Sequence, residues 1–353
     1  MSDTIDDLRI VEITPLTKPA DIIAEIPRNA TVTQTVTSNR NAIHKILRGE
    51  DDRLIVVIGP CSIHDPVAAR EYAARLEEQR RRFAGDLEIV MRVYFEKPRT
   101  TVGWKGLMND PHLDGSYRIE EGLRIARRLL LDINAMGLPA GVEFLDTITP
   151  QYIADLVSWG AIGARTTESQ IHRQLASGLS CPIGFKNGTD GGVRVALDAI
   201  LAASQPHHFP AVTKDGQAAI ASTTGNEDCH IILRGGKRPN YEAADVEAVT
   251  SDAVKLGVAP RILIDASHAN SGKDPMNQPI VVKNVAAQIA AGNGDIKGMM
   301  IESNLVAGRQ DLVPGKPLVY GQSITDGCID WDMSVAVLED LAEAARERRR
   351  ART

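Results

Sequence analysis

Eight short apolar runs, each followed by a stretch with helical spacing, constrain the fold of this chain more than any other feature. The stretches between the runs, such as residues 66–83 and 279–292, carry apolar residues three and four positions apart. A repeated strand–helix unit gives parallel strands with right-handed crossovers, so eight units predict an α/β fold, the closed (β/α)8 TIM barrel. A doubly wound open sheet is the alternative. The predicted strands are LIVVIGP at 54–60, IVMRVYF at 89–95, GVEF at 141–144, AIGAR at 161–165, CPIGFK at 181–186, HIILRG at 230–235, RILIDAS at 261–267 and KGMMIES at 297–303.

Two segments lie outside this repeat. Residues 1–50 form a predicted N-terminal arm and helix, an extension for oligomer contact or regulation in which the helix closes the amino-terminal end of the barrel. Residues 51–353 form the catalytic barrel. Within it, residues 206–228 contain Asp215-Gly216 between short alternating runs, which predicts an extra β-hairpin before the sixth barrel strand. We expect this hairpin at the face opposite the catalytic mouth, in subunit contact or regulation.

Composition excludes several classes of protein. A formal net charge of -6 over 353 residues argues against a nucleic-acid partner, and no apolar run approaches the ~18 residues that span a bilayer, so no membrane is expected. The four cysteines contain no CxxC spacing, which favours reduced thiols and a cytoplasmic location. The basic run at 346–350 is interpreted as a solvated terminus.

Chemically capable side chains lie at the carboxyl ends of the predicted strands and in the loops after them, where barrels of this kind build their active sites. One set is basic and predicts anionic ligands, because Arg binds carboxylate and phosphate through paired hydrogen bonds. Each member could instead pair with a neighbouring carboxylate. The basic set is Arg92, Lys97, Arg99, Arg165, Lys186 and Arg234.

A second set offers a thiolate, an imidazole and two carboxylates, which suits one divalent cation such as Mn, Fe, Co or Zn. Taken singly, its cysteine could be a small buried hydrophobe and its histidine a satisfied strand-end residue. The loop at 96–115 is long and basic, which predicts a lid over a bound anion. The second set is Cys61, His268, Glu302 and Asp326.

At these residues the chain resembles class I (type Iα) 3-deoxy-D-arabino-heptulosonate-7-phosphate (DAHP) synthases over essentially its whole length. The motifs are GPCSIHD at 59–65, MRVYFEKPRTTVGWKG at 91–106, GAIGARTTESQ at 160–170, GFKNGTDG at 184–191, HIILRGG at 230–236, DASHANS at 265–271 and SITDGC at 323–328. The resemblance implies a transferase that condenses phosphoenolpyruvate with D-erythrose 4-phosphate and releases phosphate, the first step of the shikimate pathway. Octulosonate 8-phosphate synthases share the barrel but differ where this chain has KPRTT.

The resemblance also implies roles for individual residues. The second set ligates the metal, and the catalytic residues are Lys97, Cys61 and His268. Substrate binding is implied for Arg92, Lys97, Pro98, Arg99, Thr100, Lys105, Glu143, Ala164, Arg165, Lys186 and Arg234.

Members of this family are commonly inhibited by an aromatic amino acid and form dimers or tetramers, so we expect a homodimer or homotetramer inhibited by Phe or Tyr. The candidate effector residues are Asp6, Asp7, Gln151, Leu175, Ser180 and Phe209. Three other functions stay open: an octulosonate 8-phosphate synthase-like condensation, a Schiff-base aldolase with Lys186 as nucleophile, and a non-catalytic regulatory paralogue.

Overall fold

Almost every residue of the eight barrel strands is buried in the computed structural model, which describes residues 5–313 and 315–352. Strands buried on both faces are typical of parallel sheets covered by helices. The barrel strands are β1 (Leu54–Gly59), β2 (Leu87–Arg92), β3 (Ala140–Glu143), β4 (Trp159–Ile162), β5 (Ile183–Lys186), β8 (His230–Leu233), β9 (Ile262–Asp265) and β10 (Ile296–Glu302).

The barrel closes between its first and last strands. Neighbouring strands pair in parallel in the order β1-β2-β3-β4-β5-β8-β9-β10, and β10 pairs with β1 with Gly59 opposite Glu302. The predicted TIM barrel is therefore confirmed, and the open sheet is wrong. The predicted strand bounds differ from the observed ones by up to three residues, because residues such as Tyr94 and Phe95 are buried but have left the ladder.

Helices cover the outside of the barrel and follow the predicted amphipathic stretches. Several begin at a capping side chain: the Asp65 carboxylate accepts hydrogen bonds from the backbone N–H groups of Val67 and Ala68, and the Ser169 hydroxyl accepts one from that of His172. The helices are α1 (Pro19–Glu25), α2 (Ala30–Arg48), α3 (Pro66–Arg82), α4 (Ile119–Ala135), α5 (Pro150–Ile153), α6 (Gln170–Gly178), α7 (Arg194–Ala203), α8 (Ala243–Lys255), α9 (Gln278–Ala290) and α10 (Trp331–Arg352), with 3-10 turns at Ala154–Leu156 and Pro275–Asn277. No helix within 5–313 or 315–352 has the length and apolar character needed to cross a bilayer.

Helix α2 closes the amino-terminal end of the barrel. Its buried Ile43, Ile46 and Leu47 belong to one apolar cluster with the interior side chains of the strands, among them Trp159. A second, larger cluster lies between the strands and the outer helices. Because side chains fill the barrel interior, the strands hold their carboxyl ends in fixed relative positions.

The predicted hairpin is confirmed as β6 (His208–Val212) paired with β7 (Ala218–Ser222). It lies along the outside of the barrel beside α5 and α6, so it is not confined to the face opposite the mouth. Two further short strands, β11 (Val306–Arg309) and β12 (Gln322–Ser323), form a small sheet beyond β10.

The carboxyl-terminal helix is anchored to the barrel. Arg346 and Arg349 both form ion pairs with Asp86, at 2.6 Å, and Arg349 also pairs with Asp52. The interpretation of this basic run as a solvated terminus is therefore wrong for Arg346, Arg348 and Arg349, because Arg348 is buried and the other two pair with a carboxylate at the start of β2.

Candidate active site

A charged cavity of about 380 Å³ lies at the carboxyl ends of the barrel strands. Most side chains that the sequence assigned to substrate and metal contribute to its walls. The predicted residues that line it are Lys97, Pro98, Arg99, Glu143, Ala164, Arg165, Lys186, Arg234, His268, Glu302 and Asp326. Cys61 and Arg92 are fully buried next to it, and Thr100 contacts the lining residue Arg165 through its hydroxyl. The side chain of Lys105 is exposed and does not line the cavity.

Three of the four predicted metal ligands lie close together. One ligand atom each from Cys61, Glu302 and Asp326 lies within 4.8 Å of the others. His268 Nε2 is 3.9 Å from Glu302 Oε1. A thiolate, an imidazole and two carboxylates with these separations suit a borderline divalent cation such as zinc or cobalt.

The backbone of His268 turns its ring toward this group. Its φ of 55° is in the left-handed region, which a non-glycine residue rarely adopts and which often marks a functional site. The Nδ1 atom is 2.9 Å from Asp265 Oδ2 and 2.6 Å from the Ser267 hydroxyl. A ring that donates from Nδ1 leaves the lone pair of Nε2 for a cation.

The thiol of Cys61 is held in a site that opposes its ionisation. Burial, and next the charge of Glu302, raise its pKa to about 11. Lys97 Nζ lies 3.1 Å from Cys61 Sγ and 3.1 Å from the Cys61 carbonyl. Burial alone would lower the pKa of Lys97, but interaction with Cys61 when that thiol is ionised, and the charges of Glu302 and Glu143, outweigh it and raise that pKa. Lys97 is therefore an ammonium donor beside the candidate metal ligands.

Arg92 is buried beneath the mouth and touches the ligand set. One of its terminal nitrogens donates to Glu302 Oε1 at 3.1 Å, and its guanidinium lies 3.9 Å from the centre of the Tyr94 ring. The arginine thus orients a carboxylate that could bind the metal, and the aromatic face offsets part of its desolvation.

The remaining cations form an anion-binding wall. Among the described residues, no carboxylate forms an ion pair with Arg99, Arg165 or Arg234, so the alternative of structural pairing does not apply to them. Lys186 does pair with Asp265, at 2.9 Å. Burial lowers the pKa of Arg234 without removing its charge. Unpaired guanidinium groups at one mouth favour a ligand that carries several negative charges.

The loop at 96–115 folds back on itself beside this wall. Lys97 N donates to the Lys105 carbonyl at 2.9 Å, and Arg99 Nε donates to the Trp104 carbonyl at 2.8 Å. Gly106, with φ of +113°, permits the close approach, since a Cβ at this position would lie 1.9 Å from the Phe95 carbonyl oxygen. The loop therefore holds its basic run at the edge of the cavity.

The sequence interpretation missed two buried acids, Asp265 at this site and Glu96 next to Lys97 in the chain. Asp265 is wholly buried and contacts both Lys186 and His268, although its only sequence signal is its place three residues before the histidine. Glu96 accepts a hydrogen bond from the Thr149 hydroxyl at 3.1 Å. Burial, and next the charge of Asp146, raise its pKa to about 7. The cavity is also lined by Lys273 and Arg309, which lay outside the predicted set.

A second cavity, of about 630 Å³, separates the hairpin from α5 and α6 and is mainly apolar. Four of the predicted effector residues line it: Gln151, Leu175, Ser180 and Phe209. Asp6 and Asp7 lie in the exposed N-terminal arm and do not line this cavity. Lys214 on the hairpin turn donates to the Gln151 carbonyl, which ties the turn to the start of α5.

Comparisons with known proteins agree with this architecture. The DAHP synthetase I family matches residues 29–339. The Phe-sensitive phospho-2-dehydro-3-deoxyheptonate aldolase of Escherichia coli K12 is 62% identical over 344 residues, which cover 98% of each chain. The Trp-sensitive enzyme of Enterobacter agglomerans is 56% identical over 97% of this chain and 99% of its own. The solved structure of phospho-2-dehydro-3-deoxyheptonate aldolase from Francisella tularensis SCHU S4 superposes with a TM-score of 0.94 at 53% identity, over 96% of this chain and 99% of its own.

Proposed function

This chain belongs to the DAHP synthetase I family, whose reaction condenses phosphoenolpyruvate with D-erythrose 4-phosphate, and we propose which residues of the barrel mouth perform that reaction. The observation that carries the proposal is the meeting of a metal-type ligand set with unpaired guanidinium groups in one cavity.

Phosphoenolpyruvate is placed against the wall formed by Arg165, Lys186 and Arg234, which matches the charge of its phosphate. Arg92 and Glu143 are assigned to the same substrate, and the backbone of Ala164 lies next to Arg165 in this wall. Lys105 is exposed, and its assignment rests on the resemblance alone. Erythrose 4-phosphate is placed at Lys97, Pro98, Arg99 and Thr100, where the folded loop holds a basic run at the edge of the mouth.

One divalent cation would be held by Cys61, His268, Glu302 and Asp326, and it would supply Lewis acidity toward the aldehyde oxygen. Its identity among Mn, Fe, Co and Zn is open. Because the buried Cys61 thiol has a raised pKa, binding releases a proton.

Lys97 acts on the aldehyde during carbon–carbon bond formation. The C3 carbon of phosphoenolpyruvate is a weak nucleophile, so its attack on the aldehyde carbon needs a donor for the oxygen that becomes a hydroxyl. The Lys97 ammonium, next to the ligand set, meets that need. Water then adds to the electron-poor C2 carbon, and the resulting phosphohemiketal expels phosphate. Arg165 and Arg234 stabilise the charge that develops on the leaving group.

The competing functions fit the mouth less well. A Schiff-base aldolase would use Lys186 as a nucleophile, but its ammonium is paired with a buried carboxylate and lies among arginines. A regulatory paralogue would not need a metal-type ligand set, and the octulosonate synthases differ at the KPRTT segment.

A metal-removal assay tests the proposal together with one variant. Consumption of phosphoenolpyruvate, followed by its absorbance with erythrose 4-phosphate present, should stop after chelation and return after metal is added back. Lys97→Ala should lower turnover by roughly 10²–10⁴-fold, the range for a positioned acid, while metal content stays normal. Lys255→Ala, an exposed lysine on α8, is the control. Full activity in Lys97→Ala would remove Lys97 from the mechanism.

Feedback inhibition is proposed at the hairpin cavity. A relative with 62% identity is named Phe-sensitive and another is named Trp-sensitive, and an apolar cavity of about 630 Å³ has room for an aromatic side chain. Of the two expected effectors, phenylalanine and tyrosine, phenylalanine is the one in the name of the more similar of these two relatives, and it is the effector we propose. Initial rates at saturating levels of each aromatic amino acid decide this, and unchanged rates with all three would refute it.

The assembly is proposed to be a homodimer or homotetramer in which residues 1–50 form an oligomer and regulatory extension. The described part of the arm exposes Ile5, Leu8 and Ile13, side chains that a second subunit would cover. Asp6 and Asp7 would then reach a neighbouring subunit's cavity. Light scattering measures the subunit number, and a monomer would contradict the proposal. A cytoplasmic location is also proposed, and the four free cysteines support it.

A further inference from the structure

Asp265, the last residue of β9, joins the two halves of the mouth through one carboxylate. Its Oδ2 atom lies 2.9 Å from the Lys186 ammonium and 2.9 Å from His268 Nδ1. Its Oδ1 atom accepts hydrogen bonds from the backbone and the hydroxyl of Ser267, at 3.0 and 2.7 Å. Lys186 belongs to the anion-binding wall and His268 to the metal-type ligand set.

The burial of this carboxylate makes its contacts informative. Asp265 has no exposed surface, and a charge without solvent is stable only when cations and hydrogen-bond donors surround it. Among the described residues, the partners within ion-pairing distance of Asp265 are the Lys186 ammonium of the substrate site and the imidazole of His268, a candidate metal ligand. The carboxylate therefore acts on residues of the active site.

The geometry around His268 shows what the carboxylate does on the metal side. With Nδ1 donating to Asp265, the imidazole takes the tautomer whose Nε2 lone pair is free, and Nε2 is the atom 3.9 Å from Glu302. The Ser267 hydroxyl, which lies between Nδ1 and Asp265 Oδ1, restricts rotation of the same ring. Carboxylate–histidine pairs of this kind orient metal ligands and raise their basicity.

On the other side, Asp265 restrains a flexible side chain. The Lys186 ammonium has four rotatable carbons behind it, and the ion pair holds it at one place in the cavity wall. We propose that Asp265 is a positioning residue that fixes His268 for the metal and Lys186 for the phosphate of phosphoenolpyruvate, so that one carboxylate supports both binding events. This inference rests on the proposed function of the mouth.

Loss of the Asp265 carboxylate should change the affinity for phosphoenolpyruvate in opposite directions, depending on whether Asp265 positions Lys186 or acts only through its charge. Removing a negative charge near the phosphate should tighten binding if Asp265 acts only as a charge. Removing the restraint on Lys186 should weaken it. Asp265→Asn is nearly isosteric but carries no negative charge to hold the Lys186 ammonium, and one of the two oxygens that accept hydrogen bonds in wild type becomes an amide nitrogen that only donates.

The experiment measures metal affinity and substrate affinity in the same variant. The metal probe is Co²⁺ alone, titrated into metal-free protein and followed by its thiolate charge-transfer absorption. We expect the Co²⁺ dissociation constant of Asp265→Asn to rise by roughly 10–100-fold, the range for the loss of a partner of a metal-bound histidine. At saturating Co²⁺, KM for phosphoenolpyruvate should rise by about 10-fold, and KM for erythrose 4-phosphate should change less than twofold.

Glu88→Gln is the matched control. Glu88 is also a buried carboxylate on a barrel strand, but it pairs with Arg53 and Arg80 at the opposite end of the barrel. A merely structural loss would lower the thermal stability of both variants and leave the Co²⁺ constant unchanged in both. Only the positioning role changes metal and phosphoenolpyruvate affinity in Asp265→Asn alone.

The outcomes distinguish failure of this inference from failure of the proposed function. Unchanged Co²⁺ affinity in folded Asp265→Asn, or a KM for phosphoenolpyruvate that falls, would overturn the inference. If the wild-type protein bound no Co²⁺ through a thiolate, the proposed function itself would fail. Should Asp265→Asn not fold, ¹⁵N-histidine spectra of wild-type protein report the tautomer directly: a proton on Nδ1 of metal-bound His268 supports the proposal, and a proton on Nε2 refutes it.

Discussion

The barrel mouth and the hairpin cavity are built in opposite ways. The mouth encloses about 380 Å³, and its walls are charged side chains that come from the ends of most of the barrel strands. The hairpin cavity encloses about 630 Å³, and its walls are mainly apolar side chains of an added element and two helices. The mouth therefore forms only when the barrel closes, whereas the hairpin cavity forms because the hairpin is added to the outside of the barrel.

This contrast would allow one chain to separate the reaction at the mouth from regulation at the proposed effector cavity. The mouth holds cations and anions at fixed positions that favour charged ligands, and the cavity offers apolar surface to one aromatic side chain. One short segment touches both regions. Thr149 donates to Glu96 beside the mouth, and two residues later Gln151 lines the hairpin cavity and receives Lys214.

The largest expected effect is on the pH dependence of stability, through the buried acid Glu96 beside the mouth. Glu96 is buried, and its raised pKa of about 7, against a usual 4.5, means that the folded protein binds a proton more tightly than the unfolded chain. The stability from this proton is complete below pH 4.5 and is lost as pH rises through about 7. Glu96→Gln should therefore be more stable than wild type at pH 8, by on the order of 3 kcal/mol, and similar to it at pH 4.5.

Thermal unfolding of both proteins from pH 4.5 to 8, at one scan rate, measures this difference. Thr149, Asp146 and Glu143 are unchanged in the variant, and the effect of the Asp146 charge on Glu96 is part of the stability difference that is measured. A stability difference that stays constant with pH would show that Glu96 is not a desolvated acid.

An intermediate effect should follow from filling the hairpin cavity. Ala221 lines the cavity, whereas the preceding residue, Ile220, is exposed and does not line it. Ala221→Phe should raise the inhibition constant for the aromatic effector by at least about 10-fold, because a side chain occupies the effector's space. KM and kcat at the mouth should stay within twofold of wild type.

Ile220→Phe is the matched control and should retain inhibition. Inhibition curves for both variants at fixed substrate concentrations measure the contrast. If Ile220→Phe also lost inhibition, the hairpin would act through its outer face, and the cavity would not be the effector site.

The smallest expected effect concerns the segment between the two regions. Thr149→Val removes one hydroxyl that donates to Glu96 and preserves the branched shape of the side chain. Loss of one hydrogen bond costs roughly 0.5–1.5 kcal/mol. If Glu96 couples the two regions, the free energy of effector binding should change by this amount, and the inhibition constant should shift about two- to tenfold. KM for phosphoenolpyruvate should stay near wild type. Thr147→Val, which alters the cavity lining instead, is the comparison. An unchanged inhibition constant in Thr149→Val would show that coupling between the regions does not pass through Glu96.

The sequence predicted the barrel because strands buried on both faces produce continuous apolar runs, and eight such runs with helical stretches between them leave few other folds. It also predicted that Cys61 and Glu302 lie close together, since both are at the carboxyl ends of barrel strands. It did not show that β2 ends at Arg92, because Tyr94 is as apolar and as buried as the strand itself.

Contacts between residues far apart in the sequence could not be predicted from the sequence. The pairing of Arg349 with Asp86 spans 263 positions and has no local pattern. The sequence gives no role for Asp265, because an acid at a strand end does not reveal that it contacts two functional side chains. Asp6 and Asp7 were assigned through the resemblance, and in a single chain they lie away from the cavity.

The central claim is that Cys61 and His268, 207 positions apart in sequence, bind the same cation at the barrel mouth. X-ray absorption at the zinc edge of zinc-loaded protein tests this most directly, in wild type and in Cys61→Ser. The account predicts one sulfur at about 2.3 Å with nitrogen and oxygen at roughly 2.0–2.2 Å in wild type, and loss of the sulfur alone in the variant. A wild-type shell without sulfur, or a sulfur that persists in Cys61→Ser, would contradict it.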